Sequence, residues 1–156
     1  MNKQLLKVDE TNIEAAGWIH SESWKASHRS FCSEEFVEKH TAAAQAEYLR
    51  REMSAGRKFF MLIDEGPVGI VSICGNLIEN LYVLPSAQNM GYGTQLLQFA
   101  IRQCDGIPTL WILNINKGAH RLYTRNGFVE TGNRKQLKEN LYEIELIYGK
   151  EKPTCK

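Results

Sequence analysis

The chain has 156 residues, 43% hydrophobic and 24% charged, with 19 Lys and Arg against 18 Asp and Glu for a net charge of +1. That length suits one domain with its own core, and the composition excludes a disordered chain, a collagen-like repeat and a coiled coil. The balance of charge gives no overall pull toward nucleic acid or an anionic membrane.

In chain order, Gln4 to Val8 reads as a strand. Thr11-Asn12-Ile13-Glu14 has the capping-box pattern, a hydroxyl at the cap and a carboxylate three residues on. A helix is expected from there toward His28, through Trp18, His20 and Trp24. Ser33-Glu34-Glu35 is a second start signal, with acids at a helix N-terminus. The alanine-rich stretch Thr41 to Ser54 is expected to be helical and to stop at Gly56. Strands are expected over Lys58 to Ile63, Val68 to Cys74 and Leu77 to Leu84, with turns at Asp64-Glu65-Gly66-Pro67 and Gly75-Asn76. The third strand is apolar on both faces, as a central strand would be. From Gly91 the period changes, and Leu96, Leu97, Ala100, Ile101 and Cys104 share one helical face. Pro108 to Ile115 reads as a strand, Lys117 to Arg125 as a short helix, Phe128-Val129 as the start of an extended piece, and Leu141 to Tyr148 as an alternating strand. The order is roughly β-α-α-β-β-β-α-β-α-β-β, an α/β (α+β) domain over residues 1–149 with a polar tail over 150–156.

Cys32, Cys74, Cys104 and Cys155 form no CxxC pair and stand beside no histidines at zinc-ligand spacing, so no metal is expected. Cys74 and Cys104 lie in apolar stretches and read as reduced core residues. The chain opens without an apolar leader and has no apolar run long enough to span a bilayer. The expected setting is cytoplasmic, with neither membrane nor nucleic acid as partner.

The most informative segment is Leu81-Tyr82-Val83-Leu84-Pro85-Ser86-Ala87-Gln88-Asn89-Met90-Gly91-Tyr92-Gly93-Thr94. A strand runs into a loop, and the loop opens a helix. Gly91 and Gly93 suit a sharp turn, and the amides from Asn89 to Thr94 would face outward at a helix N-terminus, where a pyrophosphate is the expected guest. The Walker A pattern fails because Thr94-Gln95 follows Gly93, and the dinucleotide fingerprint fails because Leu96 stands where its third glycine belongs. A structural strand-to-helix turn remains the other reading of these glycines.

The spacing Gln-x-x-Gly-x-Gly from Gln88 to Gly93 resembles the acetyl-coenzyme A loop of the GNAT superfamily of N-acetyltransferases. The stretch from Leu110 to Phe128 is similar to that family's second motif: a strand, then Asn116, Ala119, Tyr123 and Gly127-Phe128. Asn116 and Tyr123 are seven residues apart, about two helical turns, so they can share a face.

The resemblance implies a GNAT-like mixed, mostly antiparallel central sheet of six to seven strands, with helices on both faces and a splayed pair of central strands. It implies acetyl-CoA as cofactor, with CoA as product. The backbone of Leu81, Tyr82 and Val83 would pair with the pantetheine arm as an added strand does. Gln88, Asn89, Met90, Gly91, Tyr92, Gly93 and Thr94 would hold the pyrophosphate. Asn89-Met90 stands where the family usually has Arg or Lys, a departure that spares the amides but removes a cation. Asn116 would bond the pantetheine arm, or cap the following helix, and Ala119 would allow close approach. Tyr123 would protonate the leaving thiolate, a role suited to a phenol with a pKa of about 10; its other reading is a core aromatic.

The implied reaction is direct acetyl transfer to a primary amine in a ternary complex. A lysine-like amine is almost fully protonated at neutral pH, at a cost of roughly 4–5 kcal/mol, so a base is needed. Glu79 is the first candidate, a carboxylate inside an apolar strand; the exposed start of that strand is its plainer reading. His120 is a weaker candidate. The resemblance places the acceptor pocket at the first helices, making His20, Trp24 and His28, with Trp18, candidates for substrate binding, by cation–π contact or as plain core packing. A small-molecule amine is the expected partner, and dimers are common in the family. Three other functions stay open: a CoA-binding sensor without turnover, an unrelated nucleotide-binding domain, and a protein or peptide N-acetyltransferase.

Overall fold

The computed structural model describes residues 3–150. Its elements in order are β1 (Gln4–Lys7), α1 (Ile13–His28), α2 (Glu34–Glu38), α3 (Ala42–Ser54), β2 (Lys58–Ile63), β3 (Pro67–Cys74), β4 (Leu77–Val83), a 3-10 turn (Pro85–Ala87), α4 (Tyr92–Gln103), β5 (Thr109–Leu113), α5 (Lys117–Arg125), β6 (Phe128–Lys138) and β7 (Leu141–Tyr148). Ser33 and Thr41 cap α2 and α3 by accepting the Phe36 and Ala44 amides. The capping box at α1 does not form: Asn12 is the cap residue, and its side chain turns back to accept the Asp9 amide. Thr11 is drawn away from the helix, because its hydroxyl donates to Asp9.

The seven strands form one sheet in the order β1-β2-β3-β4-β5-β7-β6. All pairs are antiparallel except β4 with β5, which is parallel and registers only at Leu77 and Thr109. Beyond that point the two strands part. The expectation that β4 is apolar and buried on both faces is therefore corrected. Only Ile78 is buried there, and the rest of the strand is half-buried.

Helices cover both faces, and β3 shows why. A Cβ on Gly69 would meet Leu96 of α4 at 2.7 Å. Ser72 joins a hydrogen-bonded network that reaches α1. Gly69 and Ser72 have opposite parity on the strand, so α4 and α1 lie on opposite faces. On its own face, α1 lies tight against α3: a Cβ on Gly17 would sit 2.8 Å from the Ala42 carbonyl and 2.9 Å from the Ala46 nitrogen. The core unites Ile13, Leu49, Phe59, Ile70, Leu96, Leu97, Leu110, Phe128 and Leu146.

Cys104 is buried, whereas Cys74 is exposed, because it ends β3 at the Gly75-Asn76 turn. Cys155 and the tail beyond residue 150 lie outside the described residues. β6 runs to Lys138, well past Phe128-Val129, as a polar edge strand held by β7.

Candidate active site

The site begins with an irregularity in β4. Opposite Ile70 to Ser72 on β3 stand Tyr82 to Glu79 on β4, so β4 carries one extra residue. Asn80 absorbs it with a left-handed φ of 54°, a conformation that Asn tolerates better than most residues. Its side chain is held on both ends. Asn80 Nδ2 donates to Ser72 Oγ at 3.0 Å, and Asn80 Oδ1 faces His20 Nε2 at 3.0 Å. Gln45 Nε2 donates to His20 Nδ1 at 2.6 Å. That partner assigns the tautomer: Nδ1 accepts, and Nε2–H donates to Asn80. Burial pushes the His20 pKa down, partly offset by the Asn80 bond.

Beside this network, between α1, α3 and β4, lies a cavity of about 470 Å³. His20, Asn80 and Tyr82 form its inner wall, and Tyr48 and Gln45 of α3 flank them. The rings of Tyr48 and Tyr82 stand 5.3 and 5.1 Å from that of His20. Burial raises the pKa of both phenols, keeping them protonated. Trp24 forms the outer wall. It is sandwiched between His28 at 3.9 Å and His40 at 3.6 Å, both nearly parallel to it. His28 thus sits behind Trp24 rather than on the cavity, and burial lowers its pKa. Trp18 is 44% exposed and does not line the cavity. Lys39, Arg51 and Glu47 stand at the rim.

Glu79 is half-buried and ion-paired to Arg57 at 2.6 Å, and Arg57 also reaches Glu52 at 3.3 Å. Its charge is felt by Tyr48 and Tyr82, which places it beside the cavity rather than on its surface. His120 is tied to Glu130 at 3.1 Å on the α5 side.

On the other side of β4, the glycine turn closes onto the strand end through Gln88, whose Nε2 donates to the Val83 carbonyl at 3.2 Å. Asn89 and Gly91 both take left-handed φ values, 64° and 87°. Gly91 is the cap of α4, and a Cβ there would meet no atom within 4 Å, so the backbone angle is what calls for glycine. Gly93 has a different reason: its Cβ would press Leu122 of α5 at 3.3 Å. The amides of Asn89, Met90, Gly91, Tyr92, Gly93 and Thr94 donate to no acceptor among the described residues. Tyr92 is anchored instead by its hydroxyl, which donates to Asp64 at 2.5 Å.

Asn116 caps α5, its Oδ1 accepting the Ala119 amide at 3.0 Å. Tyr123 lies two turns on, 7% exposed, with its ring edge-on to Phe128 at 5.9 Å. Burial raises its pKa, and it is an electrostatic neighbour of Tyr82. The glycine turn, the helix of Tyr123 and the first helix therefore converge on β4 from its two sides.

The model of the acetyltransferase (GNAT) domain matches residues 55–130, from the turn before β2 into β6. That stretch is similar to a GNAT acetyltransferase domain. Among solved structures, the fold recurs in YjaB from Escherichia coli at 21% identity and a TM-score of 0.73, covering 96% of this chain and 100% of that one. PaiA N-acetyltransferase from Thermoplasma acidophilum, described in complex with coenzyme A, matches at 20% identity and a TM-score of 0.67 over 93% and 98% of the two chains. The yncA protein from Salmonella typhimurium, described with its cofactor acetyl-CoA, matches at 16% identity and a TM-score of 0.67 over 100% and 98%. A search of curated proteins gives no match. At these identities the likeness to each structure is one of fold. No helix among the described residues is long and apolar enough to cross a membrane.

The residues at the site that sequence reasoning missed are Gln45, Tyr48, Arg57 and His40. Gln45, Tyr48 and Glu52 fall three and four apart on α3, a polar stripe on a face that packs inward. That stripe was the available signal.

Proposed function

We propose that the domain is an N-acetyltransferase that moves an acetyl group from acetyl-CoA to a small-molecule primary amine, directly, in a complex holding both. The observation that carries this reading is the run of six unpartnered amides from Asn89 to Thr94, set at the helix end beside the parted β4 and β5. Such amides suit a pyrophosphate, and the free flank of β4 at Leu81, Tyr82 and Val83 suits an amide-bearing arm. When bound, acetyl-CoA supplies an acetyl group activated as a thioester. Transfer forms a C–N bond, breaks the C–S bond, takes a proton from the amine and returns one to the sulfur.

Tyr123 is the proton donor in this reading. Its raised pKa keeps the proton on Oη at neutral pH until a thiolate needs it. The Asn116 cap fixes the start of the helix that carries it. Glu79 is the proton acceptor on the amine side, reached from the cavity past Tyr48 and Tyr82. The cavity with Trp24 and His20 on its walls receives the amine, and His28 supports Trp24 from behind. Cys32 and Cys74 are free thiols, which suits a cytoplasmic setting.

Calorimetric titration with acetyl-CoA tests the reading, with ATP and NAD as controls. Selective binding near micromolar, about −8 kcal/mol, followed by turnover of an amine, is the expected result. Binding of ATP or NAD in preference to acetyl-CoA would replace it with a nucleotide-binding function.

A further inference from the structure

The rim of the cavity between α1, α3 and β4 carries an uncompensated positive charge. Lys39, just after α2, and Arg51, on α3, both line it and are exposed. Neither side chain makes an ion pair or hydrogen bond among the described residues. The one carboxylate on the lining, Glu47, is paired with Arg50, which also holds Glu10. Glu79, nearby, is paired with Arg57. A polycation entering this cavity would therefore meet two free cations and no free anion. A ligand bearing a negative group would meet the reverse.

We propose that the acceptor is a small amine that also carries an acidic group, a carboxylate or a phosphate, and that Lys39 and Arg51 select it. This rests on the acetyltransferase reading above and names its substrate class. The amine end points inward to the Tyr48 and Tyr82 hydroxyls. The acidic end stays at the rim, where charge-assisted hydrogen bonds from a guanidinium and an ammonium are available. Between them, the stacked rings of Trp24 and His40 line the wall. A volume of about 470 Å³ suits a small molecule of this kind. Attraction of an anion by Lys39 and Arg51 also raises its local concentration, an effect that salt would screen.

The test uses the purified full chain with acetyl-CoA as donor and matched acceptors. These are the common amino acids and their amides, 3-aminopropyl phosphate and 3-aminopropanol, and spermidine. Binding to the CoA-loaded protein and kcat/KM are both read. At least one acid or phosphate should bind or react about tenfold better than its uncharged partner. K39A and R51A should each remove most of that preference through KM, and K39R should keep it. The amino acids and 3-aminopropyl phosphate separate a carboxylate from a phosphate reader. If no acidic acceptor outperforms its uncharged partner in either readout, or if spermidine is preferred, the inference is overturned while the acetyltransferase reading stands. A preference that survives K39A and R51A overturns the assignment to these residues. Absence of acetyl-CoA binding overturns both readings together.

Discussion

His20 of α1 donates through Nε2 to Asn80 Oδ1 at 3.0 Å, tying the first helix to the one left-handed residue of the central strand β4. The bond joins a buried ring to a strand irregularity sixty residues away in sequence. It also connects the cavity wall to the strand segment that would meet the acyl group.

Replacing His20 with Leu should leave Asn80 Oδ1 and Gln45 Nε2 without their partner. Buried polar groups stranded in this way cost about 1–3 kcal/mol. Urea unfolding should show that loss. His20→Gln, which can still donate to Asn80, should recover part of it.

Stability should fall in mild acid. Burial holds the pKa values of His20 and His28 below that of an unfolded histidine. The unfolded chain therefore takes up these protons first as pH drops below about 6.5. The contribution is complete above that pH and is lost progressively on the way down to the folded values. Melting curves between neutral pH and mild acid should show the slope, and His20→Gln should flatten part of it.

Tyr123→Phe should lower kcat by roughly 10²–10⁴, the usual range for a lost general acid. Acetyl-CoA affinity by calorimetry should hardly change, because the hydroxyl makes no contact that shapes the fold. An undiminished kcat would remove Tyr123 from the donor role. Glu79→Gln should likewise lower kcat if the carboxylate takes the amine proton.

Gly91→Val places a β-branched side chain at φ 87°, where there is space but the backbone is strained. The turn should open and acetyl-CoA affinity should fall by more than tenfold, about 1.4 kcal/mol. Gly93→Val should act differently, by pushing Leu122 and with it the helix of Tyr123. Comparing kcat with cofactor affinity in the two variants separates the two roles.

Much of this architecture is legible in the residues. β2, α5 and β7 begin and end where alternation, caps and glycines place them. The buried face of α4 is the apolar face that its period marks out. The illegible parts depend on contacts between distant segments. β6 is polar along most of its length, and only pairing with β7 makes it a strand. Charged residues on such an edge discourage further strands from adding to it. At Asn80 the only local signal of the bulge is an Asn within an apolar strand, and its polar partners come from α1 and β3. At the site, the glycine loop and Tyr123 stand out through the family resemblance of their two segments. His20 and Trp24 of the cavity wall were named as well, but its α3 side was not, since Gly17 draws α3 against α1 and so sets Tyr48 beside His20. Asn116 was visible as a cap of the following helix, the part it plays for the Ala119 amide, whereas Glu79 was visible but its partner Arg57 was not.

The single registered pair between β4 and β5 makes the sheet two panels sharing one hinge pin at Leu77 and Thr109. One panel holds β1 to β4, and the other holds β5 to β7. Any molecule that bonds to the bare flank of β4 while resting on α5 acts as a splint across that seam. Its binding energy then adds directly to cohesion between the panels. Heat resistance of the protein should accordingly track how full the seam is, and a simple melting scan becomes a gauge of occupancy.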